Sequence, residues 1–107
     1  MDRMEIAKTI MGQIKATDPM AMFAWGCTKY VALGEEKLSN GGYQVGGLQF
    51  NVMGAKFKGK VLVRLTAKDL YDVEIGRVYK HEWKQKAYVE DIFCEELMET
   101  IDRLVER

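Results

Sequence analysis

Leu48-Gln-Phe-Asn-Val52, Phe57-Lys-Gly-Lys-Val-Leu-Val-Arg-Leu65 and Tyr71-Asp-Val-Glu-Ile75 are three successive runs in which apolar and mostly polar side chains alternate. Alternation with period two puts Leu48, Phe50 and Val52 on one face of a strand. The same holds for Phe57, Val61, Val63 and Leu65 on the next run, and for Tyr71, Val73 and Ile75 on the third. An antiparallel sheet with one dry and one wet face carries this pattern. A slip of one residue would send every apolar side chain to water, so the parity is strongly specified.

The connections set the register. A two-residue loop at Gly54-Ala55 predicts Val52 opposite Phe57, Phe50 opposite Gly59 and Leu48 opposite Val61, with Asn51 facing Lys58 and Gln49 facing Lys60. At the second connection, a two-residue loop would oppose Val63 to Asp72. A three-residue loop, Ala67 to Asp69, instead pairs Leu65 with Tyr71, Val63 with Val73 and Val61 with Ile75 inside, and Arg64 with Asp72 outside. The three-residue loop is the expectation.

Helices flank this core. Ile6, Ile10 and Ile14 form one helical stripe from Asp2 to about Ala16, with Ala7 and Met11 beside it and with Asp2 and Glu5 at the positive end of the helix dipole. Thr17-Asp18-Pro19 ends it, because proline disfavours helix in the residue before it. Met20 to Leu33 reads as a short helical turn or bulged strand, then a strand from Thr28 to Leu33. Ser39-Asn40-Gly41-Gly42 marks a turn, and Gly46-Gly47 a bulge or a close approach of another backbone. His81 to Lys84 reads as a loop and Gln85 to Val89 as a short last strand. From Glu90 onward, Phe93, Leu97, Ile101 and Leu104, with Cys94, Met98 and Val105, make the stripe of a C-terminal helix. The predicted fold class is α+β: an N-terminal helix, a four- to five-stranded antiparallel meander sheet and a C-terminal helix, both helices on one sheet face.

The chain has 107 residues, a length that buries roughly two thirds of its unfolded surface, enough for one core, so residues 1–107 are expected to form a single domain. Apolar content of 48% argues against disorder, and 16 basic against 16 acidic residues leave no global field to attract a polyanion. Any such partner needs a local patch. Cys27 and Cys94 are the two cysteines, and with no signal peptide or spanning apolar run they suggest reduced thiols in a cytoplasmic protein.

Chemistry-bearing residues are few. Lys56, Lys58, Lys60 and Arg64 project from one strand toward the wet face, either as a basic strip for phosphates or as charges compensated by Asp72 and Glu74 on the neighbouring strand. His81 is the one histidine, so no multi-histidine metal site can form, and no Cys-x-x-Cys occurs. Cys27 and Cys94 read as small core residues rather than nucleophiles. Asp69, Asp72 and Glu74 could supply a carboxylate pair, but Asp69 falls in the turn, and Asp72 and Glu74 lie opposite basic residues that keep them ionised. Neither a catalytic residue, a metal site nor a cofactor is predicted. Trp25 and Trp83, in irregular stretches, are candidate recognition residues, with core packing the alternative for each. The seven methionines could serve an adaptable contact surface or fill core gaps.

Asp69-Leu-Tyr-Asp-Val-Glu-Ile-Gly-Arg-Val78, Val89-Glu-Asp-Ile-Phe-Cys-Glu-Glu-Leu97 and the N-terminal Glu5-Ile-Ala-Lys-Thr-Ile10 resemble segments of a family of small phage and prophage proteins. Met20 to Gly47 departs most from that pattern, and the resemblance transfers no catalytic or binding residue. It implies a bacterial cytoplasm and a gene on a mobile element. The expected function is that of a non-enzymatic binding protein, a modulator or antagonist of a host bacterial system, with a host or phage protein as partner. A nucleic-acid or nucleotide-binding accessory protein using the basic strip is the alternative, and a small enzyme the third. An edge strand and an open face also suit a homodimer.

Overall fold

The structure is a computed structural model and describes residues 2–107. Helix α1 (Arg3–Thr17) is capped by Asp2, whose carboxylate accepts the Glu5 amide at 2.9 Å. Ile6, Ala7, Ile10 and Ile14 are buried along one stripe, as their spacing requires. Asp18, ahead of Pro19, is already extended, so the helix stops there. Exposed Gly12 sits mid-helix with nothing within 4 Å of where a Cβ would stand. Gly12→Ala is therefore expected to stabilise the protein by about 0.5–1 kcal/mol, which urea unfolding would measure as a raised midpoint at constant m-value.

A four-residue helix, α2 (Ala21–Ala24), precedes β1 (Thr28–Leu33) and the two-residue β2 (Glu36–Lys37). Strands β3 (Tyr43–Met53), β4 (Lys58–Thr66), β5 (Tyr71–Tyr79) and β6 (Glu82–Ile92) follow, then one 3-10 turn (Cys94–Glu96) and α3 (Leu97–Val105). All six strands are antiparallel: β1-β3-β4-β5-β6 in order, with β2 also on β3. The sheet's inner side chains join those of α1 and α3 in one apolar cluster around Phe50, Val61, Val63, Val73 and Ile75. The α+β architecture is as expected, with β2 as an additional strand.

The second hairpin has the expected register: Leu65 opposes Tyr71, Val63 Val73, Val61 Ile75 and Arg64 Asp72. The Thr66 amide donates to Leu70 O, and Asp69 takes a left-handed conformation, φ 63°. The first hairpin differs. Val52 opposes Gly59, Phe50 Val61, Leu48 Val63 and Asn51 Lys60, because four residues, Gly54 to Phe57, connect the strands. The cause lies 50 residues on: the Val105 carbonyl at the end of α3 accepts both the Lys56 and Phe57 amides, so docking of α3 widens the loop. The shift is two residues, and parity survives.

The last third differs more. The expected loop at His81–Lys84 is a two-residue turn, Lys80-His81, with both residues at positive φ (51° and 65°), the pairing that suits hairpin twist. Strand β6 therefore begins at Glu82 and continues to Ile92, through register shifts opposite Tyr71/Val73 and Ile75/Gly76. Glu90 and Asp91 belong to this strand and not to a helix. Phe93 and Cys94 are exposed, and the buried stripe of α3 is Leu97, Thr100, Ile101 and Val105. The bulges break the period-two pattern, which left a helix-like spacing from Glu90 as the stronger sequence signal. At Gly46-Gly47 the close approach holds, since a Cβ on Gly47 would lie 2.3 Å from Val63 O, while the bulge falls just before the pair, between Gln44 and Gly46.

Candidate functional site

The outer face of the sheet was expected to be wet, yet it holds the buried polar residues Gln44, Asp72 and Glu74. Arg64, whose side chain is 12% exposed, donates from Nη2 to Glu74 Oε1 at 2.5 Å and from Nη1 to Gln44 Oε1 at 2.6 Å. Glu36 lies 3.7 Å from the same guanidinium. Glu74 Oε2 accepts the Trp83 indole N–H at 2.7 Å, and Gln44 Nε2 donates to Gly34 O. Asp72, the residue directly opposite Arg64, accepts from Tyr88 Oη at 2.8 Å and from the Asp91 amide. Burial, then the hydrogen bond to Asp72, raises the Tyr88 phenol above its ordinary range.

Sheet geometry places each of these groups. Glu74 opposes Leu62 on β4 and Tyr88 on β6, so all three share the outer face. Gly76 seats Trp83: a Cβ there would lie 2.8 Å from indole Cζ2. The segment from β2 to β3 arches over this face, and Asn40 Nδ2 reaches across to Glu90 Oε1 on β6 at 2.9 Å. Between the arch and β6 lies a hollow of about 640 Å³. Leu33, Gln49, Leu62 and Arg64 form its floor, and Leu38, Trp83 and Tyr88 stand in its walls.

The candidate residues thus separate. Arg64 and Trp83 come together through Glu74. Lys56 lies in the widened loop and donates to Arg103 O, away from the strip. Lys58 is exposed and Lys60 donates to Asn51 Oδ1 at 3.3 Å. Trp25 is 0% exposed, stacked on Phe50 with centroids 6.5 Å apart, and its indole N–H donates to Asp102 Oδ1. It is a core residue. Charge compensation of the strip by Glu74 is as the second reading of that strip expected, at Arg64; Gln44, Leu62 and Tyr88 escaped the sequence reading as parts of the same site, and the one local signal was Leu62, an apolar residue on the polar parity of β4.

The thiols lie elsewhere. Burial pushes Cys27 up to about 11, a hydrogen bond with Tyr30 opposing part of the shift. Cys94 is exposed, and its hydrogen bond to Glu95 also raises it. Among the described residues no group of three His, Cys, Asp or Glu could hold a metal ion, and no helix is long and apolar enough to cross a membrane. Comparison of the chain with protein-family models, curated proteins and solved structures finds no match.

Proposed function

We propose that the protein works by binding: a non-enzymatic, phage- or prophage-type protein of the bacterial cytoplasm that modulates or antagonises a host system by taking a partner protein into the outer-face hollow. The supporting observation is the hollow itself, about 640 Å³ between the arch and β6, with Leu33, Leu62, Trp83 and Tyr88 on its surface. Its buried charged groups are already paired: Arg64 with Glu74 and Gln44 through its two terminal nitrogens, Trp83 with Glu74, Tyr88 with Asp72, while Arg64 Nε is buried without a partner. A partner's apolar side chain entering there releases water from aromatic and aliphatic surface without stranding a charge. Such pre-paired, aromatic-walled depressions are where interface energy concentrates.

Leu62→Lys tests this, because it fills the floor with a solvated cation while leaving the inner core untouched. Tagged wild-type protein from a bacterial lysate is expected to retain a protein at fixed stoichiometry by native mass spectrometry, and the variant to lose it. Equal retention by both would remove the hollow from the interface. Nucleic acid retained with no protein, and retained equally by Leu62→Lys, would favour the accessory nucleic-acid reading instead.

A further inference from the structure

Residues 54–60 and 77–86 hold seven of the chain's 16 basic residues and one of its 16 acidic ones. The fold brings these segments to one end of the sheet, where β3 turns into β4 and β5 into β6. The remaining residues carry nine basic charges against 15 acidic ones, so a chain of zero net charge is strongly polarised. At the basic end, Arg77, Lys84 and Lys86 surround a hollow of about 400 Å³ with Phe57 and Tyr79. It shares only Gln85 with the outer-face hollow: Phe57 belongs to the inner-face core, and Arg77 stacks on its ring, guanidinium carbon 5.1 Å from the centroid. The Arg77 Nε–H donates to Lys58 O, which fixes the guanidinium with its two terminal nitrogens left for a ligand. Tyr79 is 62% exposed, and Lys80 Nζ stands 5.4 Å from its ring. Two acids lie at this end: Glu82 pairs with Lys84 at 2.8 Å in solvent, where such a pair is weak, and Glu106 is held by the Ala55 amide at the first hairpin's loop.

We propose that this end of the molecule binds single-stranded nucleic acid, with Arg77, Lys84 and Lys86 on consecutive phosphates and Tyr79 as a stacking platform for a base. An exposed aromatic ring among fixed cations favours a nucleic acid over an acidic protein segment, because a base offers a π-face and a carboxylate side chain does not. The expected complex is sequence-tolerant and salt-sensitive. Three to four phosphate contacts give a slope of log K against log[salt] of about −2 to −3.

Fluorescence anisotropy of a labelled 20-nucleotide oligothymidine, titrated with the full chain between about 50 and 200 mM salt, reads both affinity and slope. Micromolar binding at low salt is expected. Lys84→Glu with Lys86→Glu should weaken it by about tenfold or more and flatten the slope by about 1.4. Lys84→Gln with Lys86→Gln, checked by circular dichroism, serves if the charge-reversed protein fails to fold. No binding at low salt, or binding indifferent to both double variants, would overturn the proposal. So would an oligoglutamate of equal charge that binds equally well while Tyr79→Ala changes nothing, since the site would then read charge alone.

Discussion

Arg64→Ala is expected to destabilise the protein by about 3–5 kcal/mol, the usual consequence of removing one partner from a buried ion pair. The Glu74 side chain is 8% exposed and would lose its shortest donor, with Gln44 losing a second. An uncompensated carboxylate in that position costs more than the pair contributes. Replacing both residues, Arg64→Met with Glu74→Leu, should therefore cost clearly less than the single change, because the Glu74 carboxylate is no longer left without its cation, while Asp72 keeps its own donors, Tyr88 and the Asp91 amide. Urea unfolding of both variants gives the comparison. A single-variant loss below about 1 kcal/mol would mean that this face behaves as an ordinary exposed ion pair.

Trp25→Ala should be comparably severe, at about 3–5 kcal/mol, through the cavity it opens against Phe50 and the core around it. Trp25→Phe separates packing from polarity. It keeps most of the apolar volume and gives up the hydrogen bond to Asp102, a carboxylate that still holds Arg107 Nε at 2.9 Å and is partly exposed. Such a loss comes to about 1 kcal/mol for the hydrogen bond, with a further small packing term. Should the two variants unfold at the same urea concentration, the indole N–H and not the ring would be the stabilising element. Trp25→Phe also leaves Trp83 as the only indole, so its emission would report directly on the outer-face hollow.

Trp25 shows why the candidate site was only partly legible. Nothing in Phe23-Ala-Trp-Gly-Cys27 distinguishes a buried ring from an exposed one, because its neighbours in space, Phe50 and Asp102, lie 25 and 77 residues away. Trp83 shows the converse. Its contacts, Gly76 and Glu74, lie within ten residues across one hairpin, yet the positive-φ turn at Lys80-His81 lacks the glycine that would have revealed that hairpin. The basic strip was read from strand parity, which places Lys58, Lys60 and Arg64 on one face. Whether such a charge is free depends on what crosses above it, and parity is silent there.

What could be read from residue order alone is whatever rests on local free energy: the stripe and cap of α1, the stop at Pro19, the inward parity of β3, β4 and β5, the three-residue turn at Ala67–Asp69, and hence the α+β class. Each follows from side-chain periodicity or a turn's φ requirement within about ten residues. The docking of Val105 O on the first hairpin, the burial of Arg64 with Glu74, and the arch from Asn40 to Glu90 belong to the assembled fold. Those contacts join segments 10 to 50 residues apart, and their strength comes from excluding water, a property no single segment has before the others close over it.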